Sequence, residues 1–368
     1  MEINDSIEVM RDEMRKNLSI ERKQCRGIEV NKNRVTLGSN VILDHGLKLN
    51  EVINKAQKLK KKTLDIEDYR MLQSALIQNE ENINAFLSVE NIIPAIIRDL
   101  SSSNPAIRLI AISCCCNIAL GNNKACSALG RYAGPYLVAQ LDSWNNSLLE
   151  VCIWTIGNLC NGSKLASEAL HAQGCYKRLL SLLKECEATI LPSVIYAIKH
   201  FLYSPSSKSI SDEEIIKTAE IIINKLTENN MVDYLWILAI LSSMVACRNI
   251  LISITPTVFN YFINNLDNIS TSVNEITAVL RIFANLIPEY SGDTANFLLN
   301  YKTIQVIFDK LLASQYTHVK KETLNILGNM YTHQVPQIRQ KIKELIPKLT
   351  NLNHAVQLVK NTAGIAKL

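Results

Sequence analysis

Glycine and proline are scarce in this chain, 12 and 9 among 368 residues. Turn-dense β architectures draw heavily on both, so their scarcity points to helices. Long apolar runs are missing too. The longest extends from Leu235 to Val245, with Asp233 just before it and Arg248 just after. A membrane-spanning helix needs about 20 apolar residues, so this run is expected to be a buried helix and no membrane partner is expected. No dense basic stripe appears, and a net charge of +5 is too slight to argue for a nucleic-acid partner. There is no Gly-rich phosphate loop, no H-E-x-x-H and no G-x-S-x-G. The histidines, His45, His171, His200, His318, His333 and His354, show no metal-ligand spacing. The expectation is a protein that is not an enzyme and holds neither cofactor nor metal.

Ten cysteines are present: Cys25, Cys114, Cys115, Cys116, Cys126, Cys152, Cys160, Cys175, Cys186 and Cys247. None forms a C-x-x-C pair, and most lie in apolar helical stretches. They are expected to be reduced, buried small hydrophobes, which fits a cytoplasmic and nuclear protein.

What the chain does have is a period. Six residue pairs, four apart, recur every 40 to 45 residues: Ser113/Asn117, Trp154/Asn158, Tyr196/His200, Trp236/Ile240, Arg281/Asn285 and Asn325/Asn329. Such a period is the signature of a helical solenoid. Residues four apart share one helix face, so stacked repeats would turn the pairs into a ladder. Each unit shows a short first helix, a break, a second helix and a longer third helix carrying the pair. The units begin near Ala85, and their second helices are expected to open around Pro94, Pro135, Gly174, Pro256 and Pro347. Proline is tolerated in a first helical turn. Three helices per unit favour the armadillo repeat. The fold expected is all-α: an armadillo-repeat, right-handed superhelical solenoid of about six to seven repeats over residues 46–368, a seventh unit having begun before Leu368. Tyr203 to Lys208 reads as a loop, and Asp212-Glu213-Glu214 as the acidic first turn of the next helix.

Residues 1–45 are polar and mixed in charge, with eight Lys/Arg and seven Asp/Glu between residues 1 and 34. This balance reads as an ion-paired helix or a disordered arm. The run Lys58 to Lys62 reads first as a solvated helix face. Trp144 falls in a loop outside the ladder.

Three stretches carry a resemblance. Leu149-Glu150-Val151-Cys152-Ile153-Trp154-Thr155-Ile156-Gly157-Asn158-Leu159 resembles the second-repeat helix of importin α. Val232-Asp233-Tyr234-Leu235-Trp236 resembles its fourth repeat, and Leu280-Arg281-Ile282-Phe283-Ala284-Asn285-Leu286 its fifth. The first stretch is also similar to the divergent importin-α-like proteins called "transmembrane and coiled-coil domain-containing". The resemblance spans roughly residues 65–350. It implies a nuclear import adaptor that grips an extended, basic protein or peptide cargo. Asn amides would hold the cargo backbone, and aromatic slots would take Lys or Arg. Carried onto this chain, the site residues are Asn117, Glu150, Trp154, Asn158, Tyr196, His200, Asp233, Trp236, Arg281, Asn285 and Asn329. Departures from the family pattern imply a retuned grip. Ser113 and Asn325 stand in Trp positions, Ile240 stands in an Asn position, and Leu159-Cys160-Asn161-Gly162 lacks the family's Asp. Glu8 to Asn17 and Val30 to Val35 resemble the family's importin-β-binding segment, which makes importin β a weak expected partner. A scaffold without transport activity is the alternative function.

Overall fold

The computed structural model describes residues 47–203, 209–227, 230–269 and 272–362. The arm, residues 1–45, lies outside them, as do residues 204–208 of the expected loop. The described residues are helical with short connections and contain no strand. They divide into two compact units, Met1–Ser211 and Asp212–Leu368.

In the first unit, α1 (Leu49–Lys60) and α2 (Ile66–Ala75) precede a full three-helix repeat: α3 (Glu80–Leu87), α4 (Ile92–Leu100) and α5 (Pro105–Ile118). The next repeat comprises α6 (Asn123–Ala139) and α7 (Asn146–Gly162). The following one comprises α8 (Lys164–Ala172), α9 (Cys175–Glu185) and α10 (Leu191–Tyr203). Short polar residues start these helices. Asn104 caps α5 ahead of Pro105, Asn145 caps α7, and Ser163 ends α7 and caps α8. Each offers a side-chain oxygen to a first-turn N–H that has no partner within the helix. The joint between α8 and α9 needs a left-handed residue, and Gly174 fills it at φ 77°, where a Cβ would cost energy.

The second unit opens with α11 (Asp212–Lys225) and α12 (Met231–Leu241). It continues with α13 (Val245–Leu251), α14 (Thr255–Asn265) and α15 (Val273–Leu286). Then come α16 (Asp293–Leu299), α17 (Ile304–Ala313) and α18 (Thr317–Tyr331), followed by α19 (Pro336–Leu345) and α20 (Leu352–Thr362). The third helices stack on one another, α5 on α7 on α10 in the first unit and α12 on α15 on α18 in the second. These are armadillo-type repeats, as the period predicts. Because a third helix packs on both sides, its apolar residues go almost all the way round. Leu235, Ile237, Leu238, Ile240 and Leu241 of α12 are all buried, each such side chain contributing about 1.5–3 kcal/mol. No helix among the described residues is long and apolar enough to cross a membrane.

Three boundary expectations are corrected. Helical packing starts before Ala85: α1 packs on α3 and α4, α2 packs on α5, and Arg98 Nη2 donates to the Leu59 carbonyl at 3.1 Å. These two helices occupy the places of second and third helices of an earlier repeat. Residues 46–84 fall within the expected armadillo span, but the period marks no unit there because α2 is short and carries no Trp/Asn pair. Second, no break precedes Pro135, since α6 runs through it as one 17-residue helix. The proline removes one backbone hydrogen bond. Gly130 lets α6 lie very close to α8 here. A Cβ at Gly130 would stand 2.6 Å from the Ala166 Cβ, and one at Gly134 2.7 Å from the Gln173 Oε1. Third, Pro347 sits in a 3-10 turn, Ile346–Lys348, rather than opening a second helix; α20 begins later, at Leu352.

Candidate peptide-binding face

The ladder residues lie on successive third helices within each unit. In the first unit, Glu150 and Trp154 stand one turn apart on α7 and are both half-buried. The Glu150 carboxylate accepts a hydrogen bond from Ser193 Oγ on α10 at 2.9 Å. Tyr196 on α10 lies against Gly157. A Cβ at that glycine would come within 2.4 Å of the tyrosine ring, so the absent side chain is what admits the ring. From there the Tyr196 hydroxyl donates to Asn158 Oδ1 at 2.6 Å. His200, one turn further along α10, is buried and meets the Tyr196 ring edge-on at a centroid distance of 4.3 Å.

The asparagines have a role that the four-residue spacing does not reveal. Asn117 and Asn158 are buried. The Asn117 Nδ2 donates to the Gln73 carbonyl at 2.9 Å, and the Asn158 Nδ2 to the Cys116 carbonyl at 3.2 Å. The second unit repeats the arrangement. Asn285 donates to the Ala239 carbonyl at 3.3 Å and Asn329 to the Ala284 carbonyl at 2.8 Å. In all four cases the acceptor is the third residue from the end of the preceding third helix. The last carbonyls of a helix have no N–H of their own to accept from. Each asparagine therefore caps the helix one repeat earlier and ties two repeats together. Ile240, buried on α12, has no polar group for such a bond, and Ser113 returns its hydroxyl to the Leu109 carbonyl of its own helix at 2.8 Å.

In the second unit Asp233 is exposed and Trp236 half-buried, both on α12. Arg281 of α15 places its guanidinium carbon 5.3 Å from the centre of the Trp236 ring. Its Nε donates to Glu322 Oε1 of α18 at 2.8 Å. The Glu322 side chain is 3% exposed and that of Arg281 18%, so this is a largely buried ion pair lying on an aromatic ring. Asn325 is half-buried on the same helix as Glu322. Sequence inspection did not single out Glu322 or Ser193. The signal was there, since Glu322 follows Arg281 by one repeat and Ser193 follows Glu150 by one.

Nine described cysteines carry free thiols, and all but the half-buried Cys186 are buried; Cys25 lies outside the described residues. Burial pushes up the thiols of Cys114, Cys115, Cys116, Cys152, Cys160, Cys175 and Cys247, that of Cys116 to about 12 and that of Cys247 to about 11. Trp144 is fully exposed at the rim of a cleft of about 830 Å³ lined by Leu141, Leu149, Lys177, Arg178 and Leu182. Among the described residues no group of three His, Cys, Asp or Glu side chains could hold a metal.

No family model matches the chain. Among solved structures it is similar to the crystal structure of an engineered protein, with a TM-score of 0.59 and 19% identity over 77% of this chain and 68% of that one. Identity at this level speaks to fold alone. A designed armadillo repeat protein matches at a TM-score of 0.43, with 16% identity over 77% of this chain and 99% of that one. A designed armadillo repeat protein in complex with the peptide (KR)4 matches at 0.41, with 15% identity over 83% and 100%.

Proposed function

We propose that this armadillo-repeat protein is an adaptor that binds an extended segment of a partner protein on the face formed by Glu150 and Trp154. The observation that carries this reading is the pairing of a half-buried indole with a carboxylate one turn away on α7, the carboxylate held by Ser193 of α10. Such a pair takes the aliphatic stem of a Lys or Arg on the ring and its charged head at the carboxylate. The asparagines are struts between repeats in this reading, and recognition falls to side chains. A Lys-containing peptide titrated into the protein should bind with salt-sensitive affinity. Trp154→Ala should weaken it by about 0.5–2 kcal/mol, the worth of one cation–π contact. Undiminished binding by Trp154→Ala would remove this face from consideration.

The likeness of residues 149–159 to importin α favours a narrower form of the same reading. In it the partner segment is a nuclear-localisation signal, the protein moves between cytoplasm and nucleus, and residues 1–45 engage importin β. Acids nearly match bases in that arm, so its importin-β binding should be weak and fall steeply as salt rises. Deleting residues 1–45 from a fluorescent fusion should then abolish its nuclear accumulation. Unchanged import after the deletion would leave the scaffold reading alone.

A further inference from the structure

Within the ladder, aromatic side chains stand at three first positions: Trp154, Tyr196 and Trp236. Two already have a cation of this chain over the ring. The Arg281 guanidinium lies 5.3 Å from the centre of Trp236, and Lys199 Nζ lies 5.9 Å from the centre of Tyr196. Both distances are within the roughly 6 Å over which a ring attracts a cation. The Arg281 contact is firmly fixed, because its Nε is held by Glu322, a carboxylate only 2% exposed as a residue. Swinging Arg281 off the ring would break this largely buried ion pair, which is unfavourable. Lys199 sits three residues from Tyr196 on the same helix, where neighbouring side chains meet. Trp154 differs from both, since among the described residues no cation lies over its ring.

We infer that the chain supplies its own cations to the Trp236 and Tyr196 positions. Trp154 is then the one ladder aromatic, among the described residues, that takes a cation from a partner. This rests on the proposed peptide-binding function and narrows its ligand class. The segment recognised carries a single Lys or Arg in the register of Trp154 and does not need a run of basic residues. Arg281 is the specificity-determining residue in the second unit. It closes the Trp236 ring to Lys and Arg, and Glu322 positions it there.

The test uses the full chain and the peptide (Lys-Arg)4. Arg281→Ala should open the Trp236 ring and raise affinity for this peptide by about 2- to 30-fold, the range of one cation–π contact. The double variant Arg281→Ala/Trp236→Ala should lose that gain. An Arg281→Ala protein that binds no tighter than the parent, or a gain that survives Trp236→Ala, overturns the inference. Because Arg281→Ala removes an ion-pair partner of the buried Glu322, the variant Arg281→Gln/Glu322→Gln removes both charges and should show the same gain in a folded protein. A readout without peptide separates this inference from the functional reading. In a Trp144→Phe/Trp154→Phe background, fluorescence reports Trp236, and Arg281→Ala should raise its quenching by acrylamide. Unchanged quenching sinks the inference whatever binds, whereas absence of peptide binding by the parent protein sinks the functional reading alone.

Discussion

Asn158 joins three helices through one amide, donating to the Cys116 carbonyl of α5 at 3.2 Å and accepting from the Tyr196 hydroxyl of α10 at 2.6 Å. A buried polar group deprived of its partner costs about 1–3 kcal/mol. Asn158→Ala strands both the carbonyl and the hydroxyl, so it should destabilise the protein by about 2–4 kcal/mol. Tyr196→Phe leaves the carbonyl bond in place and should cost less. Urea unfolding of the two variants checks the order, and a loss below about 0.5 kcal/mol for Asn158→Ala would mean that the strut adds little.

Gly157→Ala tests the close approach of α7 and α10. The added methyl would fall 2.4 Å from the Tyr196 ring, and overpacking of this kind typically costs about 1–3 kcal/mol. The same substitution in a Tyr196→Ala background should cost far less, because the clashing ring is gone. A thermal-melt double-mutant cycle reads the coupling directly.

The period, the three-helix unit and the all-helical class were legible from the Trp154/Asn158 type of pair, since a repeat of 40 to 45 residues survives substitutions at single positions. The use of those pairs was not legible. A four-residue spacing shows that Trp154 and Asn158 share a face, yet a third helix has a neighbour on each side and the spacing does not distinguish a joint from an open surface. The Asn158 amide turned out to lie in the joint, and Trp154 is half-buried. Pro135 misled for a different reason. A proline reads as a helix boundary, yet α6 runs through it and packs closely on α8 at Gly130, a tertiary contact that the sequence does not show. The Arg281–Glu322 pair was missed because charges 41 residues apart become neighbours only after the repeats stack.

Removing one member of that pair and replacing both should have unequal results. Arg281→Ala leaves a buried carboxylate and should cost about 3–5 kcal/mol. The Arg281→Leu/Glu322→Leu double variant replaces both charges with apolar volume and should recover much of the loss. Chemical denaturation of the single and double variants decides the matter, and equal stabilities would show that Glu322 finds solvent when unpaired.

The thiols should divide by accessibility under native conditions. Burial holds Cys114, Cys115, Cys116, Cys152, Cys160 and Cys175 well above the ordinary thiol range, so at pH 8 they stay protonated and shielded. Iodoacetamide should label Cys186 among the described cysteines and spare these six until the protein is denatured. Peptide mapping by mass spectrometry reads the pattern, and native labelling of Cys115 or Cys152 would contradict the packing.

One electrostatic contact predicts an acid dependence. Hydrogen bonds from Lys55, and secondarily from Lys58, hold the Asp68 carboxyl below the usual carboxylate range. A depressed folded-state value means that the carboxylate stabilises the fold above its unfolded pKa, and that this contribution fades as pH falls through the folded one. Asp68→Asn should therefore lower the melting temperature at pH 7 and leave it nearly unchanged near pH 2. A constant deficit across that range would assign the effect to packing.

The asparagine struts also fix how the molecule can grow or shrink. Each reaches back 42 to 46 residues to a particular carbonyl near the end of a particular helix. A single-residue insertion in α7, between Asn145 and Asn158, would turn the amide about 100° away from its target. Excising or duplicating a complete repeat would hand each amide an equivalent carbonyl. Length variation in this architecture is thus quantised, with the whole repeat as the smallest piece that can be exchanged without breaking register.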